Sequence, residues 1–466
     1  MTIGITAYSP YVPRLRLDRR LIAQAWGAPQ PAGEIAVANY DEDALTMATE
    51  AALACLDGGA APDGLYFAST SSPYAEKQVA GLIATACDLP RASQTADFTG
   101  AARAGIGALI AAVNAVRAGA RRDVVVTAAD ARLAPPESEI EGLLGHAGAA
   151  VRIGAGAPLA EVVGVASVSE EFTHLWRIAG DPFVQSFPGK FSNTYGYARD
   201  MVEVVRNLLS AHGLAPRDVA RLALYAPDAR AATDLAKELG FDPKQQLVPP
   251  AVATIGSAGV TDALLALAAA LDDAQPGDRI IVAAYGEGAD AVLLRATEEI
   301  VRRRPARSLQ DWIAARQPLS SYEKYLKYRR VFAADEPGEA INNVLEHKEL
   351  KQDIRLYGSR CGACGTVQFP LARVCIKCKA RDGLADQKLA RQGAIFTFTI
   401  DHLIANMEHP LPMAVVDLDG GGRLYLQVTD FVEDEVQIGR PVTLTFRHLH
   451  DGGGNHNYFW KARPLR

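Results

Sequence analysis

The chain of 466 residues is 49% hydrophobic and 22% charged, the composition of a globular protein of about three domains and not of a disordered one. Its formal net charge of −6 gives no electrostatic reason to bind nucleic acid. The longest apolar run, around Leu264–Leu271, is far short of the ~20 residues a membrane helix needs. Met1 leads straight into a strand-like Ile3–Tyr8 without an export signal, so a cytoplasmic protein with no membrane association is expected.

In chain order, Asp43–Asp57 has the pattern of an amphipathic helix and Leu65–Ser69 that of a buried strand. An Ala/Gly-rich helix, Ala101–Arg117, and a second apolar strand, Asp123–Ala128, follow. The same succession returns about 157 residues on, as Asp200–Leu214, Arg221–Tyr225, Ala258–Asp272 and Arg279–Tyr285. Helices alternating with continuously apolar strands point to an α/β fold with parallel-type sheets. The repeat predicts two halves, 1–160 and 161–335. The Ala/Gly helices carry small residues nearly all round, so they are expected between two sheets, with N-termini meeting near a pseudo-twofold axis where developing anions are stabilised.

The segments LYFASTSSPYAEK (Leu65–Lys77), DFTGAARAG (Asp97–Gly105), FSNTYGY (Phe191–Tyr197), IGSA (Ile255–Ala258), PGDRIIVAAYGEG (Pro276–Gly288) and SYEKYLKYRR (Ser321–Arg330) lie in one order. In that order the chain resembles the thiolase superfamily, and archaeal-type hydroxymethylglutaryl-CoA synthase in particular. The resemblance implies an internally duplicated α/β/α/β/α fold with two five-stranded sheets. It also implies an acyl-CoA thioester as substrate, and a C2 homodimer. It further implies a catalytic cysteine, glutamate, histidine and asparagine, but the positions that match them are Ala102, Thr70, Tyr225 and Ser257. Three of these four carry hydroxyl groups, and the YGSG loop of the family reads Tyr285-Gly286-Glu287-Gly288. A glutamate in an apolar cleft has a raised pKa suited to acid/base work, and a tyrosine can hydrogen-bond a hydroxyl or carbonyl oxygen. Tyr225, Glu287, Thr70 and Ser257 are therefore the candidate catalytic residues. Other readings stay open: Tyr225 as a packed tyrosine, Glu287 facing solvent or paired with Arg103, and structural roles for Thr70 and Ser257. His146 either faces the cleft or is a satisfied core histidine.

Asp311–Phe332 has helical spacing, and the breaker Ala333–Gly338 marks a domain boundary. The next region, 336–385, reads as a short helix followed by Cys361, Cys364, Cys375 and Cys378 in CxxC-x10-CxxC. Two such knuckles close a tetrahedral thiolate site with no open position, which predicts structural Zn2+, with iron as the alternative metal, and not disulfides. About five short strands in 386–466 predict a small Greek-key barrel of the OB type, with the histidine-flanked Asp451–Asn455 as a loop. Zinc ribbon plus OB-fold resembles an acyl-CoA-associated family whose members accompany thiolase-like proteins.

Together these features predict an acyl-CoA carbon–carbon lyase, performing aldol or retro-aldol chemistry on a β-hydroxyacyl-CoA without a nucleophilic cysteine. A non-catalytic acyl-CoA channelling scaffold and a Claisen-type condensation or acyltransferase are the alternatives. A hydratase or thiolase is the protein partner such a system implies.

Overall fold

The computed structural model describes residues 2–27, 29–56, 59–332, 342–403, 408 and 410–465, Asn343 by its backbone alone. The breaker at 333–338 lies outside the described residues. Two compact units are present: Met1–Ala38, Asp43–Ala84 and Leu89–Arg329 form the first, while Asn39–Glu42, Thr85–Asp88 and Arg330–Arg466 form the second.

The main sheet of the first unit has nine strands: β1 (Ile3–Tyr11), β2 (Gly64–Ala68), β3 (Gln94–Phe98), β4 (Asp123–Asp130), β5 (Ala147–Ala155), β6 (Ala160–Ser169), β7 (Arg221–Leu224), β8 (Arg279–Tyr285) and β9 (Gly288–Ala296). Their order, β7-β8-β9-β6-β1-β5-β4-β2-β3, reads the same way outward from its centre, which is the duplication expected from the repeat. Parallel pairing holds β2 between β3 and β4, and likewise joins β7 to β8. The halves meet where Gly4 and Ile5 pair with Glu161 and Ala160.

The two halves are unequal. The first has five strands, but in the second the outer partner of β7 shrinks to a single bridge between Leu222 and Leu247. Leu247 is followed by Val248-Pro249-Pro250, and proline cannot donate to a ladder.

Four helices position the site: α1 (Ala44–Cys55), α2 (Ala104–Arg117), α3 (Arg199–Ala211) and α4 (Asp262–Asp273). Asp43 starts α1 through a capping box, its carboxylate accepting from the Thr46 N–H. α1 packs on β1, β4 and β5, and α3 on β6, β8 and β9, so each serves one half. The Ala/Gly helix α2 packs on strands of the first half and also on β9, and α4 on β7 and β8 as well as β1 and β5. Their small residues permit this. A Cβ on Gly105 would stand 2.2 Å from the Val260 carbonyl oxygen, so glycine is what allows the two helix starts to touch.

The helical pattern over Asp311–Phe332 is realised as two pieces, Leu309–Ala314 and Tyr322–Tyr328, separated by a strand at Gln317–Pro318. Pro318 pushes Gln317 out of the helical region, and the freed amides of Gln317 and Leu319 donate to Arg14 and Arg16 carbonyls.

In the second unit a helix, Asn343–Asp353, precedes a three-stranded ribbon of β10 (Tyr357–Cys361), β11 (Val367–Gln368) and β12 (Leu384–Lys388). Five antiparallel strands follow: β13 (Gln392–Asp401), β14 (Leu411–Leu418), β15 (Arg423–Gln427), β16 (Pro441–Gly452) and β17 (Asn455–Pro464), in the order β15-β14-β13-β16-β17. A bridge between Val428 and Ala462 joins the two edges and closes the barrel. The segment expected as a histidine-flanked loop is instead the β16–β17 hairpin, turning through Gly453 and Gly454, both left-handed.

Candidate functional site

A cavity of ≈ 250 Å3 opens in the first unit at the start of α2 and the ends of β2, β7 and β8. Ala101 and Ala102 line it on the helix side, Tyr225, Tyr285 and Glu287 on the strand side, and Thr70, Arg132 and His174 complete the polar wall. None of its lining residues carries a thiol. Cys55 is buried at the end of α1.

The loop Tyr285–Gly288 sits directly on the beginning of α2. A Cβ on Gly286 would lie 3.0 Å from the Ala101 Cβ and 3.1 and 3.2 Å from the amide nitrogens of Ala102 and Arg103. No side chain caps α2, and the Ala104 amide donates to the Ala101 carbonyl at 2.9 Å. Glu287 itself has φ 47, a left-handed conformation costing a non-glycine residue about 1–3 kcal/mol. Burial raises its carboxyl above the usual range and the Glu171 charge adds to this, while Arg103 opposes it. Arg103 does not pair with Glu287 but reaches Asp290 at 3.4 Å and the Val168 carbonyl at 3.2 Å. Among the described residues Glu287 has no salt bridge.

Tyr225 is 2% exposed and belongs to a cluster with Tyr197 and Tyr285, ring centroids 5.8–6.4 Å apart. Burial pushes its hydroxyl up to about 12, against an opposing pull from Arg132, so it is a donor at neutral pH. The Tyr197 hydroxyl donates to the Tyr225 carbonyl oxygen at 3.2 Å and braces the end of β7. Tyr195 is exposed.

Thr70 reaches the cavity, but its hydroxyl donates to Asp130 Oδ2 at 2.8 Å and its amide to Asp130 Oδ1 at 2.7 Å. Asp130 is fully buried and also accepts from Ser69, Ser71 and the Val260 amide. Ser257 is not among the lining residues. Its hydroxyl donates to Asp262 Oδ2 at 2.6 Å and accepts from Arg132 Nη2 at 3.2 Å. Burial raises the Asp262 carboxyl to about 6 despite the bonds from Ser257 and the Ala258 amide. His146 is a satisfied core histidine: Nδ1 accepts from the Ala38 amide at 2.9 Å and Nε2 lies 3.2 Å from the Arg132 carbonyl oxygen.

Three polar groups of the cavity wall have a buried atom without a hydrogen-bond partner: Tyr285 Oη, His174 Nδ1 and Arg132 Nε. The Arg132 Nε has the Asp130 carboxylate 3.9 Å away, too far for a hydrogen bond. Burial holds His174 neutral, down to about 4, and the Arg132 charge reinforces this. Burial also raises the Tyr285 hydroxyl, with Asp200 adding to it. Sequence reasoning missed His174, Arg132 and Asp130. Asp130, a carboxylate ending a run of buried apolar residues in β4, was the one with a visible signal.

In the second unit Cys361, Cys364, Cys375 and Cys378 bring their sulfurs within 4.8 Å of one another. The Cys361–Cys378 and Cys364–Cys375 separations are 3.6 Å. Four thiolates about 2.3 Å from a zinc ion stand about 3.8 Å apart, so the residues fit structural Zn2+.

Residues 349–384 match the family described as the ChsH2 rubredoxin-like zinc ribbon domain, and residues 386–447 match the ChsH2 C-terminal OB-fold domain. The chain is 30% identical over 346 residues to a hydroxymethylglutaryl-CoA synthase of Methanopyrus kandleri, covering 70% of this chain and 97% of that protein. With the enzyme of that name from Methanosarcina barkeri the identity is 32% over 352 residues, covering 71% and 98%. Among solved structures it is similar to MvaS in complex with 3-hydroxy-3-methylglutaryl coenzyme A, at 22% identity and a TM-score of 0.63, covering 73% of this chain and 94% of that one. It is likewise similar to a 3-oxoacyl-(acyl carrier protein) synthase III, FabH, from Pseudomonas aeruginosa PAO1, at 18% identity and a TM-score of 0.59, covering 64% and 99%. The fold is thus thiolase-like, and the chain belongs to the hydroxymethylglutaryl-CoA synthase family, carrying a ChsH2-type zinc ribbon and OB-fold after it.

Proposed function

We propose that the protein is an acyl-CoA carbon–carbon lyase, cleaving a β-hydroxyacyl-CoA by retro-aldol chemistry or running the reverse addition. The reading rests on the cavity at the start of α2. It joins a carboxylate of raised pKa, two tyrosines held protonated and unpartnered polar atoms, and no thiol lines it. Its relatives supply the acyl-CoA class, since they are named for hydroxymethylglutaryl-CoA synthesis and one solved neighbour holds that thioester.

In cleavage, Glu287 accepts the proton of the β-hydroxyl. The O–H electron pair becomes the new C=O of an aldehyde or ketone as the Cα–Cβ bond breaks. The pair from that bond moves into the thioester as an enolate. Donors of the wall, Tyr225 and Tyr285, hold the enolate oxygen. The proton on Glu287 then returns to Cα, giving a shortened acyl-CoA and leaving the enzyme unchanged. In this scheme Thr70 and Ser257 act as positioning residues, fixing Asp130 and Asp262 beneath the cavity. Structural zinc holds the ribbon, and a homodimer with a hydratase or thiolase partner is part of the same reading.

Chromatography of CoA esters after incubation with a panel of β-hydroxyacyl-CoAs tests it. Acetyl- or propionyl-CoA plus a carbonyl product is expected, reduced roughly 100-fold or more in Glu287→Gln and in Tyr225→Phe. Full turnover in both variants overturns the mechanism. Tight binding without cleavage across the panel establishes the channelling scaffold instead, and a trapped acyl-enzyme establishes the acyltransferase.

A further inference from the structure

The second unit contains another convergence of metal-binding side chains, on the β16–β17 hairpin. Asp451 and His456 face each other across the hairpin, with the Gly452–Asn455 pair between them and the Gly453–Gly454 turn. The pairing register shifts between His448 and His450, and this irregularity brings His448 to the same cluster. His448 Nε2 lies 2.8 Å and His456 Nδ1 2.5 Å from one oxygen, Asp451 Oδ1. The three ligand atoms lie within 4.8 Å of one another.

Arg330 pairs with the other carboxylate oxygen, Oδ2. That ion pair orients the carboxylate and leaves Oδ1 to the two imidazoles, as a second-shell cation does for a metal-bound carboxylate. His450 stands beside the cluster, its Nε2 2.9 Å from Asn457 Nδ2. The side chains of Asp451 and His456 are 35% and 34% exposed, that of His448 10%, so an ion can enter from solvent while the inner histidine stays fixed.

From this geometry we propose that His448, Asp451 and His456 bind a first-row divalent cation such as Zn2+, Co2+ or Ni2+. Two imidazoles and one carboxylate oxygen suit these ions and not the all-oxygen shells of Ca2+ or Mg2+. The hairpin backbone fixes the three ligands before the ion arrives. On binding, the ring nitrogen of each imidazole that faces Oδ1 gives up its N–H contact, points its lone pair at the ion and carries its proton on the other ring nitrogen. Ligands about 2.0–2.1 Å from a tetrahedral ion stand roughly 3.3 Å apart, so these side chains spread by about 0.5–0.8 Å. Three protein ligands leave one position for water. The site is separate in residues and in ligand type from the thiolate ribbon, whose four cysteines fill a closed shell.

Cobalt titration of the metal-stripped full chain tests the proposal. Two equivalents are expected. One gives the intense near-ultraviolet thiolate band of the ribbon; the other gives weak visible bands alone. Asp451→Asn and His456→Ala lower the affinity of the second equivalent by more than about tenfold and leave the thiolate band intact, which also reports that the unit is folded. Cys364→Ser removes the thiolate band and keeps the second equivalent. Uptake of a single equivalent by the wild type overturns the proposal. So does a second equivalent bound with unchanged affinity in both hairpin variants, which marks adventitious binding elsewhere.

Discussion

Replacing Arg447 by methionine isolates the cost of a buried charge cluster in the second unit. Arg447 is fully buried on β16, and its guanidinium meets Glu42 Oε1 at 2.7 Å, Asp430 Oδ2 at 2.6 Å and Asp41 Oδ1 at 3.3 Å. Lys461 Nζ on β17, equally buried, holds the other Asp41 oxygen at 3.0 Å. Two cations and three carboxylates carry a net charge of −1, and Arg447→Met leaves −2 in the same space. Methionine is close in length, so the lost term is electrostatic rather than a cavity. Removing one partner of a buried ion pair costs about 3–5 kcal/mol, a large part of the roughly 5–15 kcal/mol that holds a domain folded.

The sign of the pH dependence follows from Asp41. Burial works to raise its carboxyl, but Lys461 and Arg447 outweigh that and hold it below the ordinary value. A depressed carboxyl stabilises the fold above its unfolded pKa, and the contribution is lost as pH falls through the folded value. Without Arg447 the burial effect gains ground, Asp41 takes up a proton more readily in the folded state, and the deficit shrinks on acidification. Hydrogen exchange of the β16 and β17 amides, read by mass spectrometry, is expected to show the full deficit at about pH 7 and a smaller one near pH 4.5. Adding Asp41→Asn restores the charge to −1 and recovers part of the loss. A deficit below about 1 kcal/mol, or one equal at both pH values, refutes the assignment.

Two further substitutions probe the first unit. Gly105→Ala raises helix propensity by about 1 kcal/mol, yet its Cβ would meet the Val260 oxygen at 2.2 Å. Overpacking of about 1–3 kcal/mol or more against backbone makes the net change a loss in urea unfolding, and a gain would deny the close approach of α2 and α4. Asp262→Asn tests a carboxyl raised to about 6 by burial. A raised value favours the fold below the unfolded pKa of about 3.9, and that advantage is gone once pH passes the folded value. The amide variant should therefore be more stable by up to about 3 kcal/mol near pH 8 and close to wild type near pH 4. A less stable variant at pH 8 would mean that the charge is net favourable beside Arg132.

Much of this architecture is legible in the chain because the elements of the first unit are consistent locally. Asp43 and Thr46 mark the start of α1, the runs at β4 and β8 are continuously apolar, and the repeat fixes their order. Legibility fails where tertiary partners decide. Leu247 has strand chemistry but is followed by two prolines, so its strand contracts to one bridge. At Asp311–Phe332 the three-to-four spacing is present on both sides of Pro318, and pattern alone cannot show that Arg14 and Arg16 take the interrupted amides. The β16–β17 hairpin hides because Gly452–Gly454 and the histidines break the apolar alternation that announces a strand. Tyr225 and Glu287 stand out through their motifs. His174 and Arg132 come from irregular segments about 40 residues apart, and nothing local marks either as facing a cavity.

The cavity also explains how its chemistry can differ while the scaffold persists. Two close contacts at the start of α2 involve backbone: Gly105 against the Val260 carbonyl, and Gly286 against the amides of Ala102 and Arg103. Neither depends on which side chain occupies 102, 225 or 257. Each unpartnered buried polar atom costs about 1–3 kcal/mol, and two residues of this wall, Tyr285 and His174, carry one at Oη and Nδ1, while Arg132 Nε has only the Asp130 carboxylate 3.9 Å away. The left-handed Glu287 adds its own strain beside them. A wall serving packing alone would relieve these costs by substituting phenylalanine, leucine or glycine. Their concentration around a single cavity is the arrangement expected of groups whose partners arrive with a ligand, and it makes Tyr285→Phe informative: the folded state gains or keeps stability while turnover falls.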